Sequence, residues 1–182
     1  MEKTNYVLLH GYTANPRDDF HPWLRAELEK RGYKVSVPRL PNTFNPHITQ
    51  QRDYVLKNCQ FSPQTILLGH SLGSVVALKV LEELQDPIKR LILVSGFVDS
   101  RFQDGEPIES LQETFDWKFD FGKIKRTTSE RYILRPKNDS AVSKEQGVRL
   151  YASVGGKLVN FVAKKDHACG KREPKLLEVC LS

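Results

Sequence analysis

The sequence predicts an α/β fold: a mostly parallel sheet of about six strands, helices on both faces and no large cap domain. Three observations carry that expectation. Short apolar runs alternate with segments whose apolar residues recur at helical spacing, along the whole chain. Turn residues gather after each apolar run, as they do where parallel strands end and crossovers begin. At 182 residues the chain is long enough for one full core, and it holds no internal repeat or low-complexity tract. A single domain over residues 1–182 is therefore expected.

Tyr6-Val7-Leu8-Leu9 reads as the first buried strand, ending in His10-Gly11-Tyr12-Thr13. Asp18 or Asp19 is placed to cap a helix whose apolar face is Phe20, Trp23, Leu24 and Leu28, and Gly32 ends it. Tyr33 to Val37 is a second strand. Pro38-Arg39-Leu40-Pro41-Asn42 follows and cannot be helical. A helix from about His47 to Asn58 carries Ile48, Tyr54, Val55 and Leu56. Gln64-Thr65-Ile66-Leu67-Leu68 opens the third strand. Val75, Val76, Leu78, Val80, Leu81 and Leu84 then recur as a helix. Ile88 to Val94 is the fourth strand and Arg131 to Leu134 the fifth. Pro136 to Ser140 is a turn, followed by a helix from about Ser143 to Tyr151. Lys157 to Val162 is the sixth strand, Lys165 to Gly170 a loop, and Glu173 to Leu181 a closing helix.

Composition narrows the function classes. No apolar run approaches the ~20 residues of a membrane helix, and the first strand begins too early to leave room for a secretory signal. Cys59, Cys169 and Cys180 are odd in number and widely spaced. They suggest free thiols in a reducing, cytoplasmic setting, and no Cys/His cluster has zinc spacing. The formal charge is +6, but basic pairs such as Lys30-Arg31 and Lys164-Lys165 are interspersed with acids. That describes a solvated surface rather than a nucleic-acid footprint. No metal or cofactor, no nucleic acid and no membrane are expected as partners, and no protein partner is indicated.

The chemistry centres on Gly69-His70-Ser71-Leu72-Gly73, where a buried strand becomes a helix. A sharp turn there pushes Ser71 out of the sheet in a strained conformation, and side chains at positions 69 or 73 would collide with backbone. A serine needs a base in hydrogen-bond reach, and the base needs a group that fixes its tautomer. His167 is the only histidine after Ser71. Asp139 follows the fifth strand and is the favoured acid, with Asp99 after the fourth strand as the alternative. Asp166 can rarely reach the Nδ1 of its own neighbour. The Leu72 and Tyr12 backbone N–H groups are the natural oxyanion donors, with His10-Gly11 letting the chain pass close to substrate. The rings of His10 and His70 are expected to make structural hydrogen bonds only. Cys169 reads as a bystander, with no second histidine beside it to act as its base.

Residues 98–125 read as an irregular, aromatic-rich insertion. Its rings include Phe102, Phe115, Trp117, Phe119 and Phe121. They fit either a small lid, with Phe115 and Trp117 lining a substrate pocket, or a surface loop burying its aromatics on the sheet edge.

Taken together, these stretches resemble the small serine hydrolases of the α/β-hydrolase superfamily typified by retinoblastoma-binding protein nine and the bacterial YdeN proteins. The likeness runs through Val7 to Gly11, Trp23-Leu24, Gly32-Tyr33, Val37 to Asn42, Leu68 to Ser74, Phe115 to Trp117, Phe121 to Lys125, Asn138-Asp139 and Asp166-His167. It implies a compact hydrolase with Ser71, Asp139 and His167 as its triad, acting on small acyl esters. Two places depart from the group: Ser140 stands where Pro commonly follows the acid, and Ala168-Cys169 follow the histidine. The Leu-x-Cys-x-Glu partner of the group's namesake is not carried over. A second function class stays open: an interaction module on a hydrolase scaffold whose triad is vestigial.

Overall fold

The computed structural model describes residues 3–99 and 118–182. Six strands form one sheet: β1 (Asn5–Leu9), β2 (Lys34–Ser36), β3 (Thr65–His70), β4 (Ile88–Val94), β5 (Thr128–Pro136) and β6 (Lys157–Phe161). Their order is β2-β1-β3-β4-β5-β6 and every pairing is parallel. Parallel strands need crossovers, and helices supply them: α1 (His21–Glu29), α2 (Ile48–Asn58), α3 (Leu72–Glu83), α4 (Phe121–Arg126), α5 (Lys144–Val154) and the closing α6 (Pro174–Leu181). The α/β-hydrolase fold expected from the sequence is the fold observed.

Side chains alternate across each strand, so the central strands feed two cores. Val7, Leu9, Leu67, Leu91, Leu93 and Ile133 face one way, against apolar residues of α2, α3, α4 and α5. Tyr6, Leu8, Ile66, Leu68, Ile92 and Leu134 face the other, against α1 and α6. Ile66, Leu67 and Leu68 are at most 1% exposed. Burying side chains of that size contributes about 1.5–3 kcal/mol each, which is why an uncharged run sits at the middle of the sheet.

Strand order reverses between β1 and β3. The chain leaves β1 towards β2 on one side and returns to β3 on the other. Loops diverge at such a point and leave a crevice at the strands' C-terminal ends. The expected site residues follow β1, β3, β5 and β6 and so share that edge.

Three expectations need correction. Neither Asp18 nor Asp19 caps α1, whose N-cap is Phe20 with no side-chain cap. The Asp18 carboxylate instead accepts from the Asn15 backbone N–H and side-chain amide at 2.9 and 2.6 Å, and Asp19 is left-handed at φ 53°. Pro22, in the first turn, removes an N–H that would have lacked a helical partner. Second, the irregular stretch ends early, because Phe121–Arg126 is helical. Asp120 caps it by accepting from the Lys123 N–H at 2.8 Å, and Ile124 is fully buried beneath it. Third, β5 begins three residues before Arg131, since Thr128 and Glu130 pair with Ile88 and Arg90 despite their polarity. Phe102, Phe115 and Trp117 lie outside the described residues.

Candidate active site

Ser71 stands between β3 and α3 with φ 53° and ψ −123°, a conformation non-glycine residues adopt only when their surroundings force it. The force is close packing. A Cβ at position 73 would lie 2.5 Å from the Leu9 carbonyl oxygen and 2.7 Å from that of His10, and one at 69 would lie 2.7 Å from Ser74 Cα. Neither side chain fits, so the helix can approach the end of β1. The Ser71 N–H donates to the Val94 carbonyl at 2.8 Å, and the Ser74 hydroxyl to the Gly69 carbonyl at 2.9 Å. The turn is thereby pinned to two strands.

The loop after β1 passes directly beside the serine. A Cβ at Gly11 would fall 3.0 Å from Ser71 Cβ and 3.5 Å from its Oγ. That proximity suits the Tyr12 N–H as an oxyanion donor. The Leu72 N–H, first in α3, has no partner within the helix and sits at the positive end of its dipole. His10 braces this loop. Its Nε2 accepts from the Leu40 N–H at 3.1 Å, which leaves Nδ1 as the protonated nitrogen facing the Gly11 carbonyl at 3.3 Å.

Asp139 and His167 meet as expected, His167 Nδ1 to Asp139 Oδ1 at 2.9 Å. The same oxygen accepts from the Ala141 and Val142 N–H groups at 3.0 and 2.9 Å. Burial alone would raise this carboxyl. The His167 hydrogen bond and charge, the Val142 N–H and the Ser95 hydroxyl outweigh it and hold the group below its ordinary value. With Nδ1 engaged, Nε2 is the nitrogen left for proton transfer. Among the described residues Ser71 Oγ makes no hydrogen bond to it. Asp99 is engaged elsewhere, with Gln146 at 2.9 Å and Arg149 at 3.0 Å.

His167 itself is left-handed (φ 56°, ψ 25°), and so is Ala168 (φ 55°). Polar side chains hold this loop. Buried Glu173 accepts from the Lys164 and Lys165 N–H groups at 3.0 and 3.3 Å. Asp166, too close in sequence to orient His167, accepts from the Ser140 N–H at 2.8 Å and from its hydroxyl. The dipeptides Asp139-Ser140 and Asp166-His167 therefore pair reciprocally. Proline at 140 would have neither donor. Sequence reading missed Ser140 and Glu173, because a polar residue near a turn carries no mark of the distant group it will meet.

Three further imidazoles lie beneath the site. His21 and His70 are buried, and burial pushes them down to about 4 and about 3. Burial also lowers His10. The Cys169 Sγ lies 3.7 Å from the His167 carbonyl. Burial, then the Asp19 carboxylate, push the thiol up to about 12, which keeps it protonated and unreactive. All three cysteines are free. Among the described residues no cluster of His, Cys, Asp or Glu is arranged to hold a metal, and no helix is long and apolar enough to cross a membrane.

Comparison with known proteins agrees with this architecture. YdeN of Bacillus subtilis strain 168 is 31% identical over 145 residues, covering 78% of this chain and 74% of its own. The crystal structure of the B. subtilis ydeN gene product superposes with a TM-score of 0.88 at 25% identity, covering 98% of this chain and 97% of that one. An extracellular alpha/beta-hydrolase from a Paenibacillus species has the same fold, with a TM-score of 0.73 at 20% identity over 98% of both chains. Residues 6–164 match the family described as "Alpha/beta hydrolase family", and this chain belongs to the alpha/beta hydrolase family.

Proposed function

We propose that this protein is a serine hydrolase that cleaves a small acyl ester, thioester or amide through an acyl-enzyme on Ser71. The observation that carries the reading is the His167–Asp139 pair at 2.9 Å, on the same sheet edge as a serine held in an elbow conformation. Ser71 Oγ attacks the substrate carbonyl carbon while His167 Nε2 takes the hydroxyl proton. Asp139 keeps the imidazole in the Nδ1–H tautomer and stabilises its cation. The Leu72 and Tyr12 N–H groups bind the oxyanion of the tetrahedral intermediate. Collapse breaks the carbonyl–leaving-group bond, and the leaving group departs with the proton from His167. Water, deprotonated by the same nitrogen, then releases the acid and restores Ser71.

A fluorophosphonate probe and a short p-nitrophenyl ester test this together. Wild type should label on Ser71 and turn over the ester. Ser71→Ala should lose labelling and on the order of 10⁶-fold in kcat while staying folded. Asp139→Asn should lose about 10⁴-fold, and Asp99→Asn no more than about tenfold. A wild-type protein that neither labels nor hydrolyses would return the chain to the interaction-module reading.

A further inference from the structure

Beyond the nucleophile, base and acid, the geometry points to His70 as a positioning residue: its ring N–H holds the backbone carbonyl of His167 and so fixes where the base stands. The inference rests on the serine-hydrolase reading. The contact is 2.8 Å, from His70 Nε2 to the His167 carbonyl oxygen. A carbonyl only accepts, so Nε2 must carry the proton. The ring has no freedom to turn away. It is 2% exposed, with the Phe20 ring edge-on at 5.2 Å and the His167 ring at 5.1 Å.

The other nitrogen sharpens the argument. Among the described residues His70 Nδ1 is buried with no hydrogen-bond partner, and the nearest carboxylate oxygen, of Asp19, is 4.0 Å away. Leu or Phe could fill this volume without burying an unpaired nitrogen. The cost of that unpaired nitrogen is offset by the bond that the ring's other nitrogen makes. That nitrogen serves the carbonyl of a residue in left-handed backbone, followed by a second left-handed residue. Two such residues in succession, neither of them glycine, persist only when their surroundings hold them. His70 also directly precedes Ser71. Nucleophile and base are thus fixed by two consecutive residues, so that movement of one carries the other.

The test compares His70→Leu, which removes the donor, with His70→Gln, whose side-chain amide N–H reaches the position of Nε2. With a p-nitrophenyl ester, His70→Leu should lose about 10²-fold in kcat, the loss expected when a reacting group is misplaced by about 1 Å. Its KM should stay within about threefold. His70→Gln should remain within about fivefold of wild type in kcat. Histidine nitrogen NMR on the wild-type protein should find His70 protonated at Nε2 with a coupling across the hydrogen bond to the His167 carbonyl. Folded His70→Leu with wild-type kcat overturns the inference, as does a His70→Gln that falls as far as His70→Leu. If His70→Leu does not fold, the NMR tautomer and the His70→Gln rate decide, and an unprotonated Nε2 overturns it. In each of these outcomes wild type is active. A wild-type protein without activity or Ser71 labelling instead refutes the hydrolase reading and this inference with it.

Discussion

The elbow that presents Ser71 and the loop that presents His167 solve one problem in opposite ways. Both hold non-glycine backbone at positive φ. The elbow does it by leaving side chains out: bare Cα atoms at 69 and 73 let α3 touch the end of β1. The histidine loop does it by bringing side chains in, with His70, Asp166 and Glu173 each bonded to backbone. Steric exclusion has no intermediate state, because an added methyl either fits or does not. Polar bracing is graded and depends on protonation. The Ser71 turn should therefore be robust until it fails outright, and the placing of His167 should be tunable.

The largest expected effect breaks the elbow. Gly73→Ala places a methyl against two backbone carbonyl oxygens that cannot move without shifting β1. It should cost more than about 3 kcal/mol, read as loss of soluble protein or a collapse in Tm. A stable, active Gly73→Ala would show that the elbow yields and that the contrast between the two regions is false.

Next comes the brace on the other side. Glu173→Gln keeps the shape but removes the charge that accepts from the Lys164 and Lys165 N–H groups. Charge-assisted bonds of this kind contribute about 1.5–3 kcal/mol. Urea unfolding should show a loss in that range, with Ser71 still labelled by the probe but more slowly. Wild-type labelling rate at lowered stability would mean that Glu173 supports the fold and not the base.

The last effect is a slope. His70 and His21 are held down to about 3 and about 4 by burial, against roughly 6.5 in the unfolded chain. Between those values the unfolded chain binds protons that the native one refuses. Stability therefore falls as pH drops below about 6.5. Each group contributes a slope of about 1.4 kcal/mol per pH unit. Unfolding free energies at pH 6.5, 5.5 and 4.5 should fall accordingly, and His70→Gln should lessen the slope by one group's share. An unchanged slope would place the acid-sensitive step elsewhere.

The same contrast decides what was legible in the sequence. Alternating apolar runs placed all six strands, and Gly69 and Gly73 announced the elbow, because both signals are local. Ser71, Asp139 and His167 could be placed from their loops alone. The braces could not. Glu173 lies nine residues from the N–H it serves, and Ser140 lies 26 from Asp166. The Ser140 pairing exists only after the sheet has set β5 beside β6, and the Glu173 pairing only after the closing helix has folded back on the loop after β6. Helix α4 was missed for a related reason. Its evidence is one buried residue, Ile124, and one cap, Asp120, inside a stretch whose aromatics have no helical period. The first half of β5 is polar and joins the sheet through pairing with β4 rather than through burial of apolar side chains.

The reciprocal pairing of Asp139-Ser140 with Asp166-His167 bears on how such a site can be moved. Each dipeptide contributes an accepting carboxylate and a donating residue to the other. Grafting the histidine loop alone onto another parallel sheet would deliver a base and an unanswered carboxylate. Grafting the acid loop alone would leave Ser140 with nothing to donate to. The two turns form a single transplantable unit spanning neighbouring strands, and a recipient sheet must offer both strand ends in this register before either turn is worth transferring.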